Sequence, residues 1–245
     1  MADQFVSGTV ERPVRNRPAL AVAVIETLTR DIVTEKYQPG TALPASSALC
    51  EMFSVSRTVI REALTSLAEK GLVAARQGWG TIVLDQSHWS LLDPMILDGL
   101  FQREDRLRYL DNLIEIRTTL ESAMAASATK HMTEDGHTAL DTKVDLLATL
   151  LDEPDPYELE DLAFHRIIHA LSGDAFGSAI VASIQGKARR TAQYRGNPTR
   201  RDIDLSHAEH LRVRDAVVAG DPDAAAQAMR DHITASWARR RPRDG

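Results

Sequence analysis

Several features that define other classes of protein are scarce in this sequence of 245 residues. Cysteine occurs once, at Cys50, which excludes a disulfide framework and a metal site built from several cysteines. Aromatic residues make up only 5%, a composition that favours packed helices over β-sandwiches. No uninterrupted apolar run is long enough to span a membrane, and the N-terminus lacks the apolar stretch of a secretory signal. The sequence therefore predicts a cytoplasmic protein with no membrane partner.

The chain is also acidic, with a net charge of −6, which by itself argues against a nucleic-acid-binding protein. The charges are unevenly distributed. Residues 1–85 hold nine basic and nine acidic side chains, whereas residues 86–245 hold 20 basic and 26 acidic ones. The length predicts two modules, and the acidity lies entirely in the second. A neutral first module can still bind DNA, because local potential matters more than the total charge.

The first 85 residues follow the order helix, helix, helix, hairpin. Apolar residues at helical spacing, turn residues and β-type runs predict helices over 18–36, 46–53 and 56–70, and strands over 73–76 and 81–84. The short segment between the second and third helices is typical of a helix-turn-helix. The sequence therefore predicts an N-terminal winged helix-turn-helix over 18–85, preceded by a flexible basic arm over 1–17.

The third predicted helix has a polar leading turn. Ser56 is placed to cap it, and Arg57 and Arg61 lie four residues apart on one face with Thr58 beside them. Two guanidinium groups and a hydroxyl suit guanine edges and phosphates in a DNA major groove. The alternative is that both arginines are ordinary surface charges balanced by Glu62, and the spacing alone favours neither interpretation.

A connector over 86–105 is predicted to lead into an all-α antiparallel helical bundle over 106–238 and a solvated basic tail over 239–245. The fold class is thus mainly α. Helices are predicted over 94–101, 107–130, 134–151, 155–172, 175–193, 203–219 and 222–238, with breaks at Pro- and Gly-containing turns.

The helix predicted over 155–172 contains a possible pair of metal ligands. Asp161 and His165 lie four residues apart at the inward edge of its apolar face, whereas His169 is expected to point towards solvent. The spacing of His165 and His169 resembles that of zinc proteases. Arg166 stands where that chemistry needs a glutamate base, so a zinc protease is excluded.

Two further histidines, His210 and His232, lie on the apolar faces of later helices. Buried imidazoles are usually core residues whose hydrogen bonds are satisfied, and that interpretation stays open here. Three such imidazoles together with Asp161 would instead suit a divalent metal ion, with zinc favoured over nickel or manganese.

Arg117 and Glu121 lie in the middle of an otherwise apolar face of the helix predicted over 107–130. An unpaired buried guanidinium is costly. Either the two side chains pair with each other, or Arg117 holds an anionic ligand through two hydrogen bonds. The sequence alone favours neither.

A resemblance to the DNA-binding domain of the GntR superfamily, over 18–85, is carried by the run from Val55 to Leu64, by Gly71-Leu72-Val73 and by Gly78-Trp79-Gly80. It implies that Arg57, Thr58 and Arg61 contact an operator. It also implies that the tip of the wing, Gln77 and Gly78, enters the neighbouring minor groove.

One segment departs from that family. Its members usually have Pro-Ser-Glu, often followed by arginine, at the start of the second helix, and this chain has Pro44-Ala45-Ser46-Ser47. A DNA contact from Ser47 would be weaker than one from arginine. The preferred operator is therefore expected to differ.

A second resemblance, over 105–238, is to the FCD-type effector domain of the FadR branch of that superfamily. It is carried, in order, by Glu115-Ile116-Arg117, Asp161-x-x-Phe164-His165, Glu209-His210 and Met229-Arg230-x-His232. It implies that Asp161, His165, His210 and His232 hold a divalent metal ion. It further implies that Arg117 meets a small carboxylate effector that caps the metal.

Together these features predict a homodimeric repressor that binds a palindromic double-stranded DNA operator and is released by a small organic acid. The segment from Trp89 to Pro94 resembles the connector of members that respond to sugar acids, which favours an aldonate or a uronate. One alternative is a regulator with a structural metal or a vestigial pocket. The other is a metal-dependent hydrolase, which lacks a clearly placed general base.

Overall fold

The computed structural model describes residues 17–242 and divides into two compact units between Ser90 and Leu91. The predicted basic arm falls almost wholly on residues 1–16, which lie outside the described residues. Arg17, its last predicted residue, is the first residue of a helix. No helix within residues 17–242 is both long and apolar enough to cross a membrane.

The first unit has the predicted order of elements. It contains α1 (Arg17–Val33), α2 (Ser46–Phe53), α3 (Arg57–Glu69), β1 (Val73–Arg76), β2 (Gly80–Val83) and a short 3₁₀ helix (Gln86–His88). Its core forms where α1 packs against α3. Leu28 and Ile32 of α1 and Ile60 and Leu67 of α3 are completely buried, because they recur at helical spacing on one face of each helix.

The hairpin is the wing of this unit. Its strands are antiparallel, with Val73 opposite Val83. The segment before α2 also pairs with it, through a bridge between Ala42 and Ile82 and a 2.8 Å hydrogen bond from the Leu43 amide to the Thr81 carbonyl. This third pairing segment was not predicted, because a single β-bridge leaves no alternation of apolar and polar residues in the sequence.

The beginning of the predicted connector packs into the first unit. Gly71 has a φ of +75°, and a Cβ there would lie 1.9 Å from the carbonyl oxygen of His88, so only glycine fits. The Trp89 indole is buried and donates a hydrogen bond to the Leu84 carbonyl at 3.1 Å. Residues 86–105 therefore contain structure that belongs to both units.

The second unit is a helical bundle. It contains α4 (Pro94–Leu100), α5 (Arg106–Ala128), a 3₁₀ turn (Thr129–His131), α6 (Glu134–Thr149), α7 (Pro154–Ser172), α8 (Ala175–Ala188), α9 (Ala192–Arg195), α10 (Arg200–Val218) and α11 (Pro222–Arg240). The long α5 packs against α7, α8 and α11, and α10 packs against α11. The predicted fold class, a winged helix-turn-helix followed by a helical bundle, is confirmed.

The predicted solvated tail over 239–245 is wrong for the residues that the structure describes. Helix α11 continues to Arg240. Arg239 donates two hydrogen bonds to the Glu209 carboxylate, at 2.7 and 2.8 Å, and Arg241 donates to Asp111 at 3.0 Å. These arginines hold the end of the chain against α10 and α5, because each finds a carboxylate on a helix packed beside α11.

Candidate functional site

Four side chains predicted to bind metal converge inside the bundle. Asp161 and His165 come from α7, His210 from α10 and His232 from α11. Their potential ligand atoms all lie within 4.8 Å of one another, and the group could hold a metal ion. The three imidazoles are buried, whereas the Asp161 side chain is 20% exposed. The centre therefore has one side open towards solvent.

Two of these imidazoles donate a hydrogen bond from Nδ1 to a carboxylate outside the group of four. The Nδ1 of His165 donates to the Glu121 carboxylate at 2.6 Å, and the Nδ1 of His232 donates to the Glu209 carboxylate at 3.1 Å. A carboxylate can only accept, so each neutral ring carries its proton on Nδ1. Each Nε2 atom therefore presents a lone pair, as a metal ligand must.

Those two Nε2 atoms face each other across 3.2 Å. With no proton between them, two lone pairs at this separation repel each other. A cation removes the repulsion, and ligand nitrogens about 2.0–2.1 Å from a zinc ion would lie roughly 3.0–3.4 Å apart. The pairing of His165 and His232 thus fits a metal ion better than it fits a satisfied core.

His210 can adopt the same arrangement. Its Nδ1 lies 3.2 Å from the Tyr157 hydroxyl, which can accept a hydrogen bond from it. Its Nε2 is buried, 3.0 Å from Asp161 Oδ1, in a direction that does not make a hydrogen bond, and has no other partner among the described residues. A buried nitrogen without a hydrogen bond needs an explanation, and a shared metal ion supplies one.

Burial keeps the rings of His165 and His232 neutral. It lowers the pKa of His165, and it lowers the pKa of His232 to about 3, with help from the neighbouring His210. Burial opposes ionisation of the supporting Glu209 as well, but hydrogen bonds from Arg239 and His232 outweigh it and lower its pKa to about 2. Neutral imidazoles supported by ionised carboxylates are the protonation states that metal binding requires.

Arg117 and Glu121 pair with each other in this structure. The Arg117 Nε donates to Glu121 Oε1 at 2.6 Å, and its Nη1 donates to the Tyr194 hydroxyl at 2.7 Å. Burial acts to raise the pKa of Glu121, but the charge of Arg117 and the hydrogen bonds from His165 and His169 outweigh it and hold that pKa well below its usual range. Of the two alternatives for Arg117, the structure shows the internal pair.

His169 was expected to point towards solvent, and that prediction is wrong. The side chain is buried, and its Nε2 lies 3.1 Å from the second oxygen of Glu121. Glu121 therefore accepts from Arg117, His165 and His169 at once. The ring can lie inside the bundle because the buried Glu121 carboxylate needs hydrogen-bond donors, and His169 supplies one.

Two cavities adjoin the centre. The inner one has a volume of about 10 Å³ and is lined by Arg117, Asp161, His165 and His232, together with Arg189 and Arg240. The outer one has a volume of about 210 Å³. Asp161, Ser236 and Arg240 line both cavities. A ligand in the outer cavity would thus lie beside the open side of the centre.

The residues predicted to bind DNA lie in the first unit, and all are exposed. Arg57, Thr58 and Arg61 are on the outer face of α3. Ser56 caps this helix, and its hydroxyl accepts a hydrogen bond from the Val59 amide at 3.4 Å. The predicted cap is confirmed.

Ser47 is exposed on α2, while Gln77 and Gly78 are exposed at the tip of the wing. Ala45 occupies the N-cap of α2 and makes no side-chain cap. The departure from Pro-Ser-Glu thus leaves α2 without a capping hydroxyl, which typically contributes about 1 kcal/mol.

Sequence reasoning missed the groups that support the histidines. Glu209 directly precedes His210, and Tyr157 lies one turn before Asp161, but neither spacing shows which ring it will meet. The position of Glu121 in an apolar face was a usable signal, since a carboxylate there needs a buried partner. No sequence signal pointed to Tyr194, which lies 77 residues from its partner Arg117.

Comparison with known proteins identifies both units. Residues 20–83 match the family model of bacterial regulatory proteins of the gntR family, and residues 112–235 match the FCD domain.

Among curated proteins, the chain is 29% identical to the uncharacterized transcriptional regulator YieP of Escherichia coli, over 85% of this chain and 90% of that protein. It is 26% identical to the galactonate operon transcriptional repressor of the same species, over 88% and 94%. It is 27% identical to the transcriptional regulator LutR of Bacillus subtilis, over 81% and 91%.

The fold is also similar to a solved structure of Lar from Listeria monocytogenes, with a TM-score of 0.57 and 16% identity over 90% of this chain and 95% of that one. The relatives are transcriptional regulators and not enzymes, which sets aside the hydrolase alternative. The chain belongs to the GntR family of bacterial transcriptional regulators and carries an FCD domain behind its DNA-binding domain.

Proposed function

We propose that this chain is a repressor that binds a palindromic operator as a homodimer and is released when a small sugar acid binds beside a divalent metal ion. The observation that carries the metal part is the approach of the two Nε2 atoms of His165 and His232 to 3.2 Å, each with its proton committed at Nδ1. Zinc is our first choice, because three nitrogens and one oxygen suit it. Nickel and manganese are the alternatives.

In this proposal Asp161, His165, His210 and His232 hold the metal, which supplies a positive charge for a carboxylate effector. Glu121, Glu209 and Tyr157 hold the three rings in the orientation that presents Nε2. Such supporting groups usually contribute tenfold to hundredfold in metal affinity.

The effector would lie in the outer cavity. Its lining combines the guanidinium groups of Arg195 and Arg240 with the hydroxyls of Ser206 and Ser236 and the carboxylate of Asp202. Guanidinium groups suit a carboxylate, and the other groups suit hydroxyls along a short chain. The similarity to the galactonate operon repressor supports the same class of ligand. Arg117 would contact the effector only after releasing Tyr194 or Glu121.

A route for the response lies within the bundle. Helix α8 lines the inner cavity through Gln185, and Arg189, the residue that directly follows the helix, lines the same cavity. The same helix packs against α4, and its Ser183 donates a hydrogen bond to the Leu92 carbonyl at 3.4 Å. A ligand that moves α8 would therefore move the segment that leads out of the DNA-binding domain. This requires that the ligand favour one arrangement over the other.

DNA binding is assigned to Ser47, Ser56, Arg57, Thr58 and Arg61, with Gln77 and Gly78 at the wing. Two copies of α3 in a two-fold dimer would read half-sites about one helical turn apart. The division into a DNA-binding domain over 18–85 and an effector bundle over 106–238 is part of the same proposal.

The test is a DNA-binding titration of the full chain. A duplex recovered from a random-sequence pool by selection on this protein serves as the probe, and galactonate and other aldonates and uronates are added with and without a chelator. We expect one of these acids to weaken binding by about 5- to 150-fold, and only when metal is present. His232→Ala should abolish the response without abolishing DNA binding. A response that survives chelation and His232→Ala would contradict the metal-dependent mechanism.

A further inference from the structure

The wing carries an exposed tryptophan beside an arginine. The Arg76 guanidinium lies 5.2 Å from the centre of the Trp79 ring. The Trp79 side chain is 66% exposed, whereas the other two tryptophans of the chain, Trp89 and Trp237, are 8% and 6% exposed. We propose that Arg76 and Trp79 form a contact site for the DNA minor groove, in which the indole positions the guanidinium. This inference rests on the proposed DNA-binding function.

The backbone fixes both side chains at the tip of the hairpin. The Trp79 amide donates to the Arg76 carbonyl at 3.0 Å, which closes a tight turn over Gln77 and Gly78. Gly78 has a φ of +77°, the conformation that a type II turn requires at its third position. Arg76 and Trp79 thus stand at the two ends of one turn, which brings their side chains together.

The chemistry of the tip favours DNA over other partners. The segment from Ala74 to Ile82 contains no acidic residue, so Arg76 gives the tip a net positive charge. A guanidinium is attracted to the negative potential of a narrow minor groove. An indole face can hold that guanidinium while its own edge packs against the sugars that line the groove.

Stacking on Trp79 would also lower the entropic cost of binding. A free arginine side chain must be immobilised when it enters a groove, and a side chain already held on an aromatic ring loses less freedom. The two residues are therefore expected to act as one unit. Replacing either one should remove most of the benefit of both.

The first test is fluorescence of the full chain. Trp79 alone among the three tryptophans is exposed, so adding a duplex selected from a random-sequence pool should change the emission of the wild-type chain. Trp79→Phe should abolish that change. An emission change that persists in Trp79→Phe would overturn the assignment of Trp79 to the contact.

The second test is affinity for the same duplex. Trp79→Ala and Arg76→Ala should each weaken binding by about 3- to 30-fold, and the double variant should be little weaker than either single one. Trp79→Phe should keep most of the affinity. Val22→Ala, an exposed apolar residue on α1, is the control and should bind as wild type.

The third test identifies the groove. Replacing the A·T pairs that flank the half-sites with G·C pairs should weaken wild-type binding, because guanine places an amino group in the minor groove. Inosine·C pairs lack that amino group and should restore binding. Arg76→Ala should respond to neither replacement.

The outcomes separate this inference from the proposed function. If Trp79→Ala and Arg76→Ala bind as wild type while Arg57→Ala loses affinity, DNA binding stands and the wing contact is wrong. If the wild-type chain selects no duplex, or if Arg57→Ala also binds as wild type, the proposed DNA-binding site is wrong as well as the wing contact.

Discussion

The two units of this chain hold their candidate functional residues in opposite ways. In the first unit, Arg57, Thr58 and Arg61 project from one helix into solvent. In the second, His165 and His232 are buried, and each ring is held by a carboxylate from another helix. A surface that must meet a long polymer needs only a rigid helix behind it, whereas a buried centre needs a partner for every polar atom. Substitutions should therefore separate function from stability in the first unit and combine them in the second.

The largest effect expected from this difference is at Glu121. Glu121→Ala leaves Arg117 buried without its carboxylate, which typically costs about 3–5 kcal/mol of unfolding free energy. Urea denaturation in the presence of a chelator measures this cost without any contribution from metal. Glu115→Ala, an exposed position on the same helix, is the matched control and should be nearly neutral. A loss no greater than that of the control would show that the buried network does not stabilise the bundle.

In the first unit, a substitution should reduce function and leave stability intact. Arg57→Ala is expected to weaken operator binding by about 1–3 kcal/mol, because alanine cannot make the contacts of the guanidinium with a base edge. Its urea midpoint should match that of the wild type, since the side chain is exposed. A gel-shift titration and a denaturation curve check the two halves of this prediction. Unchanged operator binding would remove Arg57 from the recognition surface.

A supporting carboxylate should affect the metal more than the fold. Glu209→Gln keeps an oxygen near His232 but loses the negative charge, and we expect a tenfold to hundredfold loss of metal affinity. Competition with a coloured chelator measures it. Glu134→Gln, exposed in the first turn of α6, is the control. Equal metal affinities in the two variants would mean that Glu209 pairs with Arg239 but does not support His232 as a metal ligand.

The smallest effect is expected where the chain ends against the bundle. Arg241 lowers the pKa of Asp111 by hydrogen bonding, so this pair stabilises the fold above the unfolded pKa of about 3.9 and the benefit disappears as the pH falls through the folded pKa. Both side chains are about one third exposed, which limits the contribution to less than about 1 kcal/mol.

The measurement is the difference in urea midpoint between the wild type and Arg241→Ala. It should be clear at about pH 6 and smaller at about pH 2. Arg230→Ala, exposed on the same helix, should show no such difference at either pH. A difference for Arg241→Ala that does not depend on pH would assign its effect to packing.

The contrast between the units also explains how much the sequence could predict. The candidate DNA-binding helix α3 could be predicted because its cap, its arginines and its apolar face all lie within residues 56–67. The four candidate metal ligands could be predicted because each lies on an apolar face and matches a family motif. The carboxylates that hold the histidine rings could not be predicted in this way. Glu121 and His165 are 44 residues apart, and only the packing of α5 against α7 brings them together.

Two errors have the same origin. His169 was assigned to solvent from the position of one helix face, and the basic tail was assigned to solvent from its charge. In both cases a buried or partly buried carboxylate on another helix supplies the missing partner, Glu121 for His169 and Asp111 for Arg241. Helical periodicity describes a single helix, so it cannot show where a neighbouring helix places an acidic group.

The most direct test of the buried centre is a metal titration of the chelator-treated full chain, with zinc, nickel and manganese in turn. We expect one ion bound per chain, through three imidazoles and one carboxylate. His210→Ala should lose that ion while keeping its affinity for the operator, because the first unit binds DNA through other residues. Absence of stoichiometric binding in the wild type, or unchanged binding in His210→Ala, would contradict the account.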